Sequence, residues 1–229
     1  MSTWRIARLV AAKDLRIEWR SRVLLNQVLP FAGLVMVMFA FALAKDDDAV
    51  LTRVAPGLVW LATTFSLLVV VQRLFAVETA DGALDALQVA GVRPSGIFLG
   101  KSLALLAQLA VLELMLLGTA VVLYRAEVHS DGVLLLVVTH VVATTALAFV
   151  GTLYGGLAAG AKGRETLLPL LMLPVVAPVL IGATRATEAA LGTEGATPSD
   201  GWPWIGLLTL FAVVFGAGGT LAFGSLIDE

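Results

Sequence analysis

Six long runs almost free of charge partition this chain, and their lengths decide its fold class. They cover Val23–Ala44, Val54–Gln72, Ser102–Tyr124, Gly132–Ala161, Thr166–Thr184 and Gly201–Ile227, and only Glu113 interrupts one of them. The shortest has 19 residues and the longest 30. A hydrocarbon core about 30 Å thick is crossed by roughly 20 residues of helix. With mean hydropathy +0.95 and 14% charged residues, a soluble domain would lack the polar side chains to cover such a core. The sequence therefore predicts an all-α integral membrane protein, one domain over 1–229. Six transmembrane helices are expected at about 23–44, 54–74, 97–124, 133–160, 166–184 and 203–224. The chain has no cysteine, which excludes disulfides and thiolate metal sites.

Charge orients the bundle. An even number of spans puts both termini on one side. Arg5, Arg8, Lys13, Arg16, Arg20, Arg22, Arg73, Arg93, Lys101, Lys162 and Arg164 then share a face, against Lys45, Arg53, Arg125 and Arg185 on the other. The positive-inside rule predicts both termini in the cytoplasm. The outer loops are acidic, with Asp46, Asp47, Asp48, Glu127, Asp131, Glu188, Glu194 and Asp200. Ala42-Leu43-Ala44 resembles a signal-peptidase site, but the apolar run before it is long and Asp14 and Glu18 precede it, so the segment is expected to remain.

Residues 1–22 contain no Gly or Pro. At helical spacing Trp4, Ala11, Leu15 and Trp19 form a stripe, and Arg5, Lys13, Arg16 and Arg20 cluster on another arc. This predicts an interfacial helix, with tryptophans at headgroup level and arginines near anionic lipid. The alternative is a basic tail without fixed structure. Span one carries Asn26, Gln27 and Pro30, and span two is expected to open near Pro56. The connection 75–96 is polar and acidic. Ala83–Ala90 within it predicts a short helix with Asp81 as N-cap. Span four holds Gly151, Gly155, Gly156 and Gly160 at spacings that let helices approach closely. Span five holds Pro169, Pro174 and Pro178, each removing a backbone donor. Thr187–Gly192 predicts a short outer helix and Thr193–Asp200 a loop. Span six holds Gly216, Gly218 and Gly219, and no internal repeat is visible.

Three constellations bear on chemistry. Ser95-Gly96-Ile97-Phe98-Leu99-Gly100-Lys101-Ser102 approximates a phosphate-binding loop, but Ser95 replaces the first glycine and no strand precedes it. Lys101 reads as a residue snorkelling to the headgroups, and any ATP used must be hydrolysed by another chain. Glu113 lies near the middle of span three, where an ionisable group is costly and marks a candidate functional site. His140 sits at a similar depth in span four and is within reach of it. The two form a candidate intramembrane polar site, a buried interhelical hydrogen bond, or a place for His140 to approach a metal porphyrin. They do not make a metal site by themselves. Finally, Glu78, Asp81 and Asp85 give the short connection between spans two and three the build of a docking element, or of a solvated loop. No catalytic pair is present, so the chain is not read as an enzyme, and no nucleic-acid partner is expected.

At that connection the residues resemble a known family. Phe75, Glu78, Asp81-Gly82-Ala83-Leu84-Asp85 and Leu87, followed by Gly100-Lys101, look like the CcmB family, the B subunit of the cytochrome c maturation ABC complex. Lys13-Asp14-Leu15-Arg16-Ile17-Glu18-Trp19-Arg20, Ala55-Pro56-Gly57-Leu58-Val59-Trp60 and Arg164-Glu165-Thr166-Leu167-Leu168-Pro169-Leu170 resemble it too. The resemblance covers essentially the whole chain.

That resemblance implies an ABC-2-type permease fold with an N-terminal elbow helix and a coupling helix between spans two and three. It implies a non-catalytic subunit in the bacterial inner membrane. The expected partners are a CcmA-like ATPase, CcmC-like and CcmD-like membrane subunits and, indirectly, the haem chaperone CcmE, with a homodimer as one arrangement. No covalent cofactor is implied, and haem is the transported or handled ligand. The coupling role falls on Glu78, Asp81, Gly82, Asp85 and Leu87. Competing readings are an ABC-2 exporter permease for another substrate, a proton-coupled secondary transporter using Glu113 and His140, and an assembly scaffold without a transport role.

Overall fold

The computed structural model describes residues 2–43, 48–80, 91–126, 128–159 and 163–227. Its elements are helical: α1 (Thr3–Ser21), α2 (Leu24–Leu43), α3 (Asp48–Ala80), α4 (Pro94–Leu123), α5 (Val133–Ala159), α6 (Arg164–Leu191) and α7 (Pro198–Ile227). Helices α2 to α7 each carry a window long and apolar enough to cross a membrane. The protein is thus an all-α, multi-pass membrane protein. The face bearing the N-terminus, the end of α3 and the start of α4 is called the near face below.

Most spans run longer than their uncharged runs predict. Helix α3 begins at Asp48, so Pro56 sits two turns inside it and not in the first turn. The same helix continues past Phe75 to Ala80, which turns the first part of the expected connection 75–96 into an extension of span two. Helix α4 starts at Pro94, whose fixed φ suits a first turn. Helix α6 absorbs Pro169, Pro174 and Pro178 and runs on to Leu191, so the separate outer helix expected at Thr187–Gly192 is its last turns. The alanine-rich end favours that continuation, and Arg185 pairs with Glu188 one turn on at 3.0 Å. Gly192 then closes it in the left-handed conformation at φ 68°.

Helix α2 opens with a widened π turn over Leu24–Val28. Pro30 supplies the reason. Its ring has no N–H and would crowd the Asn26 carbonyl in a regular α-turn, and the wider turn relieves that clash.

Helix α5 is the axis of the bundle and packs on α3, α4, α6 and α7. Its glycines create the space. Gly151 faces Val71, Gly155 faces Phe75, and Gly156 faces Phe223. Gly160, also expected in this set, lies outside the described residues. Phe98 is the hub of a buried aromatic cluster, 5.8 Å from the Phe149 ring and 5.5 Å from the Phe223 ring. Gly219 on α7 has the Phe98 ring where a side chain would be. At the far face the buried Tyr124 hydroxyl donates to the Met36 carbonyl at 2.6 Å, and the Thr52 hydroxyl donates to the Tyr124 carbonyl at 3.2 Å, joining α2, α3 and α4.

Helix α1 packs along the first half of α4, its buried face formed by Ile6, Ala7, Val10, Ala11 and Asp14. Trp4 and Trp19 of the predicted stripe point away from this contact and are 59% and 78% exposed. The elbow helix therefore has two apolar faces, one on protein and one turned outward. Glu18 fixes the bend into α2. Its carbonyl accepts from Arg22 N–H at 2.7 Å and its carboxylate accepts from Leu24 N–H at 2.6 Å.

Candidate functional site

The near-face site is built where α1 crosses α4. Contacts advance together along both helices: Gly96 meets Ile6, and Gly100 meets Val10. A Cβ at Gly100 would lie 2.7 Å from the Ala7 carbonyl oxygen, closer than packed atoms allow. The phosphate-loop-like string thus has a different use. Its glycines lie in a regular helix and are covered by α1, which leaves no cradle for a phosphate.

Lys101 follows directly and departs from expectation. It does not snorkel; it is fully buried. Its ammonium lies 3.4 Å from Asp14 Oδ2, donates to the Leu74 carbonyl at 3.1 Å, and sits 4.8 Å from the centre of the Phe75 ring. One side chain on α4 therefore binds α1 and α3 at once. Asp14 also receives Lys13 at 2.9 Å. A buried charge is tolerated only with partners of this kind. Glu18 approaches Arg73 at 4.0 Å on the same level, so the layer between α1, α3 and α4 is a set of matched charges.

This layer brackets the connection between α3 and α4, on which the predicted coupling residues lie. Glu78 falls in the last turns of α3. Asp81, Gly82, Asp85 and Leu87 lie outside the described residues, as does the short helix expected at Ala83–Ala90.

The second site is intramembrane. Glu113 and His140 both line one cavity of about 250 Å³ between α4 and α5. Thr144 of α5 is the hydrogen-bond partner of Glu113. The Thr144 hydroxyl lies 2.6 Å from Glu113 Oε2 and also against the His140 carbonyl oxygen. A hydroxyl has one proton and serves one of these oxygens at a time; a second proton is needed to satisfy both. His140 Nδ1 lies 2.9 Å from the Leu136 carbonyl, which assigns the proton to Nδ1 and leaves Nε2 as an acceptor.

Trp60 extends the cluster to α3 and α6. Its ring centre is 5.1 Å from that of His140, and its indole N–H donates to the Thr187 hydroxyl at 2.9 Å. Glu113 Oε1 and His140 Nε2 are buried without a partner. Such orphaned atoms inside a membrane are expensive, and they leave unused hydrogen-bonding capacity at this point of the bundle. Because Nε2 is buried, this arrangement does not present it to a ligand as large as a porphyrin. Among the described residues no group of three or more His, Asp or Glu side chains gathers as a metal site.

Sequence reasoning found Glu113 and His140 because ionisable groups in long apolar runs stand out. It missed Thr144, Trp60 and Thr187, which are common in membrane helices. Thr144 carries a usable signal, since it lies one turn after His140 and returns to the same helix face.

Comparison with known proteins identifies a family. The family described as CcmB protein matches residues 5–227. A Heme exporter protein B from Rhodobacter capsulatus is 31% identical over 188 residues, covering 81% of this chain and 84% of that protein. Those of Paracoccus denitrificans and Escherichia coli K12 are each 30% identical, covering 86% and 83% of this chain and 88% and 83% of those proteins. With the match running from one end of the bundle to the other, this chain belongs to the CcmB protein family.

Proposed function

We propose that the chain is the permease subunit of an ABC complex for cytochrome c maturation, driven by ATP hydrolysis on a partner ATPase. Family membership and the name of its relatives, Heme exporter protein B, support a membrane subunit of haem export. Haem is then the substrate, transported or handed on as haem-loaded chaperone released at the periplasmic side. The subunit sits in the bacterial inner membrane with both termini cytoplasmic, beside CcmA-like, CcmC-like and CcmD-like partners.

The observation that carries the mechanism is the buried Lys101 layer. An ATPase docked on the acidic connection, with Glu78, Asp81 and Asp85 in its groove, would displace the ends of α3 and α4. Lys101 ties those ends to each other and to α1, so the push moves three helices as one body and is not lost in local bending. Packed helix interfaces convert such a displacement into a switch between discrete arrangements. The experiment is charge reversal, Asp81→Lys with Asp85→Lys, in cells dependent on this chain. ATPase activity that persists while cytochrome c maturation fails supports the reading; unchanged maturation overturns it.

The two orphaned atoms at Glu113 and His140 favour a second reading, a proton-coupled secondary transporter. Transport by the purified chain in liposomes without an ATPase, abolished by Glu113→Gln, would establish it over the first.

A further inference from the structure

We infer that the elbow between α1 and α2 holds one anionic phospholipid, its headgroup at Arg22 and an acyl chain along α2 and α4. A cavity of about 540 Å³ opens here between α1, α2 and α4. Leu24, Leu25, Ala107 and Val111 give it apolar lining, and Trp19, Arg22, Gln108 and Glu18, whose carboxylate is held by the Leu24 N–H, line it as well. Leu25 and Val111 are partly exposed, so the cavity opens sideways onto the surface that faces hydrocarbon.

Arg22 lies at the headgroup end of the cavity, two residues before Leu24, where the apolar stretch of α2 long enough to cross a membrane begins. The neighbouring charged layer, Asp14, Glu18, Arg73 and Lys101, marks the polar boundary of the bundle on this side.

Charge selects the ligand. Asp14 is engaged by Lys13 and Lys101, while Glu18 is engaged by the Leu24 N–H and faces Arg73. The Arg22 guanidinium makes no ion pair with a described residue, although the cavity leaves it room to do so. A planar guanidinium recognises a phosphate oxygen pair well, and a tryptophan at the same level is the usual companion of a headgroup. The lining holds no His, Met or Tyr that would ligate iron, so the same cavity is not a haem site. The inference is independent of which partner drives the protein.

The test uses the full chain, purified in mild detergent and delipidated. Native mass spectrometry would compare added phosphatidylglycerol with phosphatidylcholine of identical acyl chains. One phosphatidylglycerol should be retained in preference. Arg22→Gln should weaken its retention about fivefold, the value of one arginine against an anionic lipid surface. Ala107→Trp, which fills the cavity, should lower retention of both lipids. Arg5→Gln, on an exposed arginine away from the cavity, should change nothing. Equal retention of the two lipids by the wild type, or undiminished retention in Arg22→Gln, overturns the inference. Displacement of the lipid by haemin at matched concentration would also overturn it, in favour of a haem entry site.

Discussion

Lys101 and Asp14, 87 positions apart in the chain, meet with an ammonium-to-carboxylate distance of 3.4 Å, both side chains buried. The pair places the N-terminal helix inside the architecture of the bundle and not beside it. Lys101 also holds the Leu74 carbonyl, so the two helices flanking the proposed coupling connection share one anchor.

Removing one partner strands the other. Lys101→Met or Asp14→Leu alone should cost about 3–5 kcal/mol of stability, whereas the double replacement should cost less than either single loss. Denaturant unfolding in detergent, arranged as a double-mutant cycle, measures this. Additive costs would mean that the two groups do not interact.

Gly100 is packed against Val10 and the Ala7 carbonyl of α1 with no room for a side chain. Gly100→Val should force the helices apart and destabilise the protein by about 1–3 kcal/mol, the range for overpacking. The loosened α1 should become accessible to proteases within Thr3–Ser21. Gly33→Ala, at a glycine with open space around it, is the matching control and should leave the cleavage pattern as it is.

Thr144 is the partner of Glu113. Thr144→Val leaves the carboxyl wholly unsatisfied and should cost about 1–3 kcal/mol. Glu113→Leu combined with Thr144→Val removes donor and acceptor together, and should recover much of that loss. Thermal unfolding of the single and double variants decides it. If the reading as a proton site also holds, the double variant will be stable yet inactive.

Phe98 touches Phe149 and Phe223 and fills the place of a side chain at Gly219. Phe98→Ala should cost about 3–5 kcal/mol by opening a cavity among α4, α5 and α7. Gly219→Leu should be at least as damaging, because the ring has no room to retreat. Both are read from unfolding midpoints.

The architecture was legible where it depends on hydrophobic length. Six runs almost free of charge predicted six spans, since bilayer thickness imposes a minimum on each. Their ends were not, because a helix that leaves hydrocarbon can continue through polar residues, as α3 does through Glu78 to Ala80 and α6 through Arg185 to Leu191. Glu113 and His140 were visible as costly exceptions in apolar surroundings. Lys101 was visible but misread, because snorkelling and burial differ only by what lies opposite. That neighbour, Asp14, comes from a distant segment with no local trace in the sequence. The same limit hid Trp60 and Thr187, whose hydrogen bond spans 127 positions.

The bend at Glu18 has a consequence for how this chain can vary. A single residue ends one helix with its carbonyl and begins the next with its carboxylate, so the rotational phase of α1 is geared to that of α2. One added or deleted residue between Glu18 and Leu24 would turn α1 by about 100°. Ile6 and Val10 would then swing off their glycine seats on α4. Insertions and deletions among relatives should therefore avoid this joint and collect in the connections between spans, where length is free to drift.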